Sequence, residues 1–355
     1  MSVINDFDNI QVKNPNNLYI VKEFIRYYDW IYSNYGKSEK TPKENYYKLL
    51  VIKKIIELIS KYKKKITHGS QIENIKGIGP KTISRIDEII NTGKLSEIGD
   101  KKLQISAVKK LSEIYGIGPV KALEFYNKYK ITNIKELLEA YKNKKIELTE
   151  QIILGIKYRN KLSTTIPRVL ITRLEVFIHE KLYKLDKDFI SIICGSYRRK
   201  KDFSSDVDIL ITNKKLKLKE ETGNYLKIIL DNLSKYFIVD SLTTSLNTHY
   251  QGFASFKLIP NLPLKYDKTL FNINKNVIRL DIIVVPIQFF YSALLHFTGS
   301  SDFNKKMRLH AKSLGYKLSE YGLESLDTKR KIKEINSEQD IFELLLLKYI
   351  PPEKR

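Results

Sequence analysis

The segment that decides the fold is Gly195–Thr212, with the sequence GSYRRKKDFSSDVDILIT. Its last six residues, VDILIT, are mostly apolar and rich in β-branched side chains, which predicts a buried strand. Asp206 and Asp208 are two residues apart, so a strand places both carboxylates on one face. Two neighbouring carboxylates repel each other unless a cation lies between them. Oxygen ligands suit Mg²⁺ or Mn²⁺, and the pair therefore predicts a divalent metal site.

A third carboxylate, Asp281, interrupts the apolar run Val277–Pro286, VIRLDIIVVP. An acid in such a strand needs an edge position or a partner. If this strand neighbours that of Asp206 and Asp208, three carboxylates converge and can hold two metal ions. Two such ions stabilise the attacking and leaving oxygens of an in-line phosphoryl displacement. Arg279 shares a face with Asp281, so we expect it to orient that acid or to bind a phosphate.

The residues before the acids indicate a phosphate site. Phe189–Cys194, FISIIC, predicts a strand that ends at Gly195-Ser196, where a helix begins. Backbone N–H groups, the Ser196 hydroxyl and Arg199 would then face a triphosphate. The competing interpretation is a pair of surface acids beside a solvated basic patch. An isolated Asp-x-Asp would favour it, but the ordered combination with the distant strand acid does not.

The flanking patterns complete a small sheet covered by helices, which is the α/β or α+β class. Ile282–Phe297 reads as a buried strand turning into a helix, because it is too short and too polar for a membrane span. The last seventy residues read as helix and polar loop. The further predicted elements are a strand over Phe253–Ile259 and helices over Ile171–Leu185, Gly223–Leu233 and Ser337–Tyr349, the last with Ser337 as N-cap.

The first half of the chain predicts helices and contains a short repeat. Tyr46–Tyr62 has helical spacing, with an apolar stripe formed by Leu49, Ile52, Ile55, Ile56 and Ile59. Ile75–Pro80, IKGIGP, recurs as Ile114–Pro119, IYGIGP, before the helical patterns Lys81–Ile90 and Val120–Lys128. Glycine permits the turn, proline fits the first helical turn, and the exposed N–H groups attract phosphate. A single copy would equally suit a plain turn between helices, but two copies favour binding to a phosphate backbone.

Charge and cysteine content narrow the partners and the compartment. The chain has 63 Lys and Arg against 40 Asp and Glu, a formal net charge of +23, which favours a polyanion such as nucleic acid. The single cysteine, Cys194, excludes an intrachain disulfide and a thiolate zinc cluster. The start of the chain does not have the pattern of a signal peptide. We therefore expect an intracellular protein, in the nucleus or the cytoplasm, with a viral origin left open.

These motifs resemble a known family. The repeat resembles the helix-hairpin-helix motif, and Gly195–Thr212 resembles the nucleotidyltransferase signature of family X DNA polymerases, closest to the polymerase beta type. His296–Arg308, HFTGSSDFNKKMR, resembles the nucleotide-binding signature of that family. The resemblance extends over the chain from about Tyr46. It implies an α+β multidomain fold: a helical N-terminal domain with tandem hairpins, a nucleotidyltransferase palm with a mixed β-sheet, and an α/β C-terminal subdomain.

The resemblance also implies roles for individual residues. Asp206 and Asp208 would ligate both metals, and Asp281 would ligate the metal at the primer 3′-hydroxyl and accept its proton. Carbonyls near Ile75 and Ile78, and near Ile114 and Ile117, would hold a monovalent cation, Na⁺ or K⁺. Nucleotide-binding roles fall on Gly195, Ser196, Arg199, Phe297, Gly299 and Asn304, the last on the minor-groove side. DNA-binding roles fall on Gly77, Gly79, Lys81, Gly116, Gly118, Arg279, Lys305 near the templating base and Arg308 on the template strand.

The implied organisation has four parts. They are a lyase-like, 5′-phosphate-binding domain over 1–100, a second hairpin subdomain over 101–165, a palm over 166–288 and a nucleotide-selecting subdomain over 289–355. The expected activity is DNA-directed DNA synthesis that fills short gaps in base excision or end-joining repair. The expected ligands are gapped or nicked DNA and deoxynucleoside triphosphates. We expect a monomer without a membrane partner, with a repair ligase or endonuclease as possible protein partners.

The chain departs from the family pattern at three places. Ser205 replaces the glycine before the first catalytic acid, and His296 replaces an aromatic residue. Arg85 stands where the family's deoxyribose-phosphate lyase has its lysine, and a guanidinium does not form a Schiff base. Lys81 and Lys48 are substitute amines, although binding of a 5′-phosphate without lyase chemistry is the preferred interpretation.

Two other functions stay open on the sequence. One is a template-independent nucleotidyltransferase, resembling a terminal transferase, in which a long loop over Asn261–Asn276 would replace the template. The other is a non-catalytic module that binds DNA ends.

Overall fold

A computed structural model describes residues 7, 10–34, 42–99, 101–163, 165–242, 247–255, 277–326 and 334–355. The chain forms two compact units, Met1–Lys157 and Tyr158–Arg355. The four-part division predicted from the sequence remains a prediction. Within the described ranges, the helices are all too short or too polar to cross a membrane.

The first unit is helical, as the sequence predicts. The stripe residues of the predicted helix Tyr46–Tyr62 are all buried, so that helix is confirmed. Its lysines lie on the opposite side and leave the apolar stripe to the core. The helices are α1 (Leu18–Ser33), α2 (Pro42–Lys61), α3 (Pro80–Thr92), α4 (Lys102–Ser112), α5 (Pro119–Tyr129), α6 (Ile134–Lys142) and α7 (Glu150–Tyr158).

The two repeats form the same turn. In the first, the Ile78 N–H donates to the Ile75 carbonyl at 2.9 Å, and in the second Ile117 donates to Ile114 at 3.0 Å. Gly77 and Gly116 have φ values of 110° and 87°, which residues with a side chain rarely adopt. In both copies the final Gly-Pro begins the following helix, with proline in the first turn. The hairpin geometry predicted for both repeats is therefore present.

The N-terminal segment is fastened to the loop after α2 by the side-chain amides of two asparagines. Asn17 is fully buried; its Nδ2 donates to the Lys64 carbonyl at 2.9 Å, and its Oδ1 accepts from the Ile66 N–H at 2.9 Å. Asn14 donates in the same way to the Lys63 carbonyl at 3.0 Å. These bonds satisfy backbone groups that no helix or strand pairs.

The second unit contains a five-stranded mixed sheet in the order β2-β4-β7-β6-β5. β4 and β7 are parallel and the other neighbours are antiparallel. The strands are β1 (Ile166–Pro167), β2 (Phe189–Ile193), β3 (Phe203–Ser204), β4 (Val207–Asn213), β5 (Ile238–Ser241), β6 (His249–Ser255), β7 (Val277–Val284), β8 (Tyr316–Ser319) and β9 (Gly322–Ser325). Residues 256–259 of the predicted strand Phe253–Ile259 lie outside the described ranges, as does the loop Asn261–Asn276.

Helices cover both faces of the sheet. Ile209 of β4 belongs to one buried cluster with α8 and α10, whereas Leu210 belongs to another with α11. This alternation places Asp208 on the α11 face with Leu210. The helices of this unit are α8 (Arg168–Leu185), α9 (Gly195–Arg198), α10 (Thr222–Leu233), α11 (Phe290–Thr298), α12 (Ser301–Ser313) and α13 (Glu338–Leu344).

The C-terminal part differs from the sequence prediction in two ways. β8 and β9 form a two-stranded hairpin where helix and polar loop are predicted; the strands are short and carry a mixture of polar and apolar residues, so the pattern is weak. Ser337 does cap α13, accepting the Asp340 N–H at 3.1 Å. The helix ends at Leu344 instead of Tyr349, because the backbone turns left-handed at Leu346, with φ 54°.

Replacing Asn17 with alanine should lower the free energy of unfolding by about 1–3 kcal/mol, because buried backbone groups of the loop after α2 lose their partners. Denaturant unfolding of the full chain measures the change. The matched control is Asn16→Ala at a neighbouring exposed position. Equal stability of the two variants would show that the Asn17 amide does not hold the loop.

Candidate active site

The parallel pairing of β4 and β7 brings the predicted acids together. Asp208 is the register partner of Asp281, so the two carboxylates leave the same face of adjacent strands. Neighbouring strands lie about 4.8 Å apart. Asp206 lies one residue before β4 and forms an ion pair with Arg279 of β7, with Nη2 and Oδ2 at 2.5 Å. Three acids separated by up to 75 residues, counted from 206 to 281, thus share one end of the sheet.

The acids are electrostatically costly. Burial, reinforced by the charges of Asp206 and Asp281, raises the pKa of Asp208 to about 7. Burial also raises the pKa of Asp281, although nearby His249 and Arg279 oppose the rise. Gln251 on β6 donates weakly to Asp281 at 3.4 Å, a contact that sequence reasoning missed. A cation at this position would relieve the repulsion.

The donor set suits a hard divalent cation, because every ligand is a carboxylate oxygen. As the side chains stand, however, the described residues contain no three acidic, histidine or cysteine groups close enough to hold one ion. Asp206 is engaged by Arg279 instead. The residues therefore fit Mg²⁺ or Mn²⁺ in chemistry, and occupancy would require Asp206 to exchange its bond to Arg279 for the ion.

Gly195 is required where α9 begins. Its φ is 57°, and a Cβ atom there would lie 2.5 Å from Oδ2 of Asp208. Ser196, the next residue, donates its hydroxyl to Ser204 at 2.7 Å. The turn between β2 and α9, which the Gly-Ser pattern predicts, therefore lies directly against the Asp208 carboxylate.

A cleft of about 500 Å³ lies beside these acids. It collects ten of the residues predicted to serve the metal, the nucleotide or the template, while Asp281 and Arg279 are not among its lining residues. The predicted hairpin residues Gly77, Gly79, Lys81, Gly116 and Gly118 belong to the other unit. The lining residues are Gly195, Ser196, Arg199, Ser205, Asp206, Asp208, His296, Phe297, Gly299, Ser301, Asn304, Lys305 and Arg308.

The turn after α11 holds two of the predicted nucleotide-binding side chains. Arg199 donates to the Thr298 carbonyl at 2.6 Å, and Asn304 donates to the His296 carbonyl at 2.7 Å. A Cβ on Gly299 would lie 3.1 Å from the Arg199 guanidinium. Both side chains therefore belong to one hydrogen-bonded wall of the cleft.

His296 and Arg308 form a pair that sequence reasoning missed. Arg308 Nη2 lies 2.8 Å from Nδ1 of His296, so the neutral imidazole accepts from the guanidinium. Burial, together with the charge of Arg308, lowers the pKa of His296 and keeps the ring neutral. Arg308, predicted to reach the template strand, thus has a partner within its own unit.

A buried charge network supports the same turn. Arg198 forms two bonds to Glu338, at 2.7 and 3.1 Å, and one to the Thr298 hydroxyl at 2.6 Å. Glu338 also accepts from Arg355 at 2.6 Å. The Arg355 side chain has no solvent exposure and is surrounded by aromatic rings of the C-terminal cluster. In the sequence Glu338 reads only as a first-turn helix acid, so no signal pointed to this network.

In the helical unit, the Arg85 side chain is bonded to neighbouring side chains. Its guanidinium makes two bonds to Glu97, at 2.9 and 3.2 Å, and lies over the Tyr27 ring at 4.8 Å. Burial and the Glu97 carboxylate help to raise the pKa of Tyr27 to about 12, although Arg85 opposes this. The position expected to carry a lyase amine is therefore part of a structural ion pair.

Four protein-family models match consecutive parts of the chain. They are a helix-hairpin-helix domain over residues 28–95, the fingers domain of DNA polymerase lambda over 109–163, the DNA polymerase beta palm over 165–287 and the DNA polymerase beta thumb over 293–355. These matches confirm the resemblance found in the sequence. The chain belongs to the family X DNA polymerases and is of the polymerase beta-like kind.

Curated relatives agree with this assignment. The chain is 26% identical to a DNA polymerase lambda of Rattus norvegicus over 315 residues, which is 85% of this chain and 51% of the relative. It is 27% identical to a DNA polymerase lambda of Arabidopsis thaliana over 323 residues, 85% of this chain and 56% of the relative. The chain is also 27% identical to a DNA nucleotidylexotransferase of Xenopus laevis over 311 residues, which is 82% of this chain and 60% of the relative. The chain thus spans little more than half the length of these relatives.

Replacing Gly195 with alanine should destabilise the protein more than replacing Gly315 with alanine. Both glycines have positive φ, which costs a side chain about 1–2 kcal/mol, but only Gly195 would also force a Cβ against Asp208. Denaturant unfolding of both variants separates strain from collision. Equal losses of stability would contradict the close approach.

The second unit should become less stable in acid, because protonation of Glu338 weakens its bonds to Arg198 and Arg355. Burial acts to raise the pKa of Glu338, but bonds from Arg198 and Arg355 prevail and lower it below its ordinary value of 4.5. The stabilisation is therefore present above about pH 4.5 and is lost as the pH falls through the lower folded-state pKa.

Glu338→Gln should be less stable at neutral pH, and the pH dependence of its unfolding midpoint below 4.5 should be flatter. Thermal unfolding between neutral and acidic pH measures both effects. Glu324→Gln, at an exposed ion pair with Lys317, is the control and should change little. Parallel pH curves for wild type and Glu338→Gln would disprove the linkage.

Proposed function

We propose that the protein is a DNA-directed DNA polymerase that adds deoxynucleotides to primer 3′ ends and fills short gaps during repair. The observation that carries the proposal is the register pairing of Asp208 with Asp281, with Asp206 beside them at the mouth of a cleft. Relatives named DNA polymerase lambda support the same activity.

The acids would hold two divalent cations. Asp206 and Asp208 would contact both, and Asp281 would contact the one at the primer 3′-hydroxyl. When bound, such ions neutralise charge on the attacking and leaving oxygens. Asp281 would also accept the proton of the 3′-hydroxyl.

The cleft would hold the nucleotide. Arg199 and Ser196 would bind the triphosphate, and the Arg199 bond to the Thr298 carbonyl fixes the guanidinium beside it. Phe297 and Gly299 would pack against the sugar and exclude a 2′-hydroxyl. Asn304, Lys305 and Arg308, which also line this cleft, would face the base pair and the template.

The hairpins would bind DNA. A Cβ on Gly79 or Gly118 would meet no atom within 4 Å, so the backbone is open to a ligand at both helix starts. Phosphates would bind the N–H groups there, with Lys81 beside the first hairpin and Gly77 and Gly116 allowing the turns. A monovalent cation, Na⁺ or K⁺, would bind the hairpin carbonyls.

We do not extend the proposal to deoxyribose-phosphate lyase activity. Arg85 has no removable proton at physiological pH and is bonded to Glu97. Lys81 is exposed, so it remains available for phosphate binding. Binding of a downstream 5′-phosphate is the function that these contacts support in the helical unit.

A second candidate is template-independent addition of nucleotides. It is favoured by the relative named DNA nucleotidylexotransferase, whose identity to this chain equals that of the plant polymerase relative. The same acids and the same cleft would serve both activities, so only a requirement for template distinguishes them.

Incorporation on a one-nucleotide gap tests the proposal. We expect wild type to require the template, and Asp208→Ala to lose activity by about three orders of magnitude, because metal-ion stabilisation contributes several kcal/mol. Asp302→Ala, at an exposed acid of α12, is the control and should stay active. Equal extension without template would favour the second candidate. Absence of incorporation by wild type as well as by Asp208→Ala and Asp281→Ala would leave only a non-catalytic DNA-end-binding module.

A further inference from the structure

One strongly charged surface of the helical unit is not used by the proposed chemistry. It consists of five exposed lysines at the end of α2, in the following loop and on the N-terminal segment. Among the described residues, none of the five forms an ion pair with a carboxylate. We call this surface the lysine ridge: Lys13, Lys61, Lys63, Lys64 and Lys65.

The backbone of the ridge is held at several points. The Lys13 N–H donates to the Ser60 carbonyl at 2.7 Å. The Lys63 and Lys64 carbonyls accept from the Asn14 and Asn17 amides. A charged loop fixed in this way loses less conformational entropy when it binds than a free one.

Repulsion among the ridge lysines acts against the backbone conformation of the loop that carries them. Four of the five lysines fall within the segment 61–65, where like charges repel one another. Buried amide bonds nevertheless keep their backbone in one conformation. Such a surface gains most from a ligand with closely spaced negative charges, and a nucleic-acid backbone has about one charge per 1.7 Å of duplex.

The ridge begins on the helix that contacts the first hairpin. Cε of Lys54 lies 3.4 Å from the position that a Cβ of Gly77 would take. Lys61 follows seven residues later on α2, which corresponds to about 10 Å along the helix axis. Phosphates of one strand advance about 3.4 Å each along a duplex, so the distance from Lys54 to the start of the ridge corresponds to about three phosphate steps.

We propose that the lysine ridge binds the sugar–phosphate backbone of the duplex downstream of the gap. This inference rests on the proposed function, because it extends the DNA contact beyond the 5′-phosphate. The contact is with phosphates and carries no base sequence information. It makes affinity depend on the length of the downstream duplex and on salt.

The test measures binding of gapped DNA without nucleotide, at salt concentrations from about 50 to about 200 mM, with downstream duplexes of about 5 or about 20 base pairs. The variant replaces Lys63, Lys64 and Lys65 together by glutamine. The control replaces Lys142, Lys144 and Lys145 by glutamine. These lysines are exposed in the same unit, and the replacement removes the same amount of charge. A second variant changes the three ridge lysines to arginine.

We expect the salt slope of wild type on the longer duplex to exceed that of the glutamine variant by about 2.7, from three phosphate contacts at about 0.9 each. Raising the salt concentration from the lower to the upper limit should therefore weaken wild-type binding about 40-fold more than it weakens binding by the glutamine variant. The arginine variant should behave as wild type, and the control should keep most of the slope.

The proposal would be overturned if the glutamine variant lost equal affinity for the short and the long duplex. It would also be overturned if the control variant lost as much affinity as the glutamine variant. Unchanged DNA affinity in the glutamine variant would overturn it as well; lost binding to poly-glutamate in that case would assign the ridge to an acidic protein partner. Incorporation on a primer–template without a downstream strand is measured separately. Its absence in wild type would refute the proposed polymerase activity and leave the binding result standing.

Discussion

The catalytic unit depends on the parallel pairing of β4 with β7. This register places Asp208 directly beside Asp281, at the end of the sheet where Asp206 meets Arg279. Burial and mutual repulsion make these carboxylates unfavourable in isolation, as the raised pKa of Asp208 shows. The apolar strands around them supply the packing that tolerates this cost.

The turn after α11 connects the acids to the rest of the cleft. Arg199 reaches it from α9, and Asn304 reaches it from α12. Behind it, Arg198 and Arg355 share Glu338. Two arginines on one buried carboxylate leave little freedom to this wall, since moving either guanidinium would strand a charge away from water. The C-terminal residue of the chain thereby contributes to the shape of a site formed mainly by residues far before it.

The helical unit has two surfaces that we propose for phosphate binding. The hairpins offer backbone N–H groups at helix starts, where the space around Gly79 and Gly118 is open. The lysine ridge offers side-chain charge on a loop fastened by Asn14 and Asn17. The first surface would recognise the geometry of a phosphate, whereas the second would respond to charge density alone.

Local patterns were sufficient for the hairpins, the strands around Asp208 and Asp281, and the acids themselves, because alternation, glycine turns and caps act within a few residues. The sequence alone therefore determined the elements around the hairpins and the acids, although not the β8–β9 hairpin, and it indicated the chemical class of the site. Only the tertiary structure decided that Arg279 holds Asp206, that Arg308 meets His296 and that Arg85 belongs to Glu97. Such pairs join residues that are distant in the chain or on different elements, and long charged side chains choose partners by packing, which no local pattern encodes.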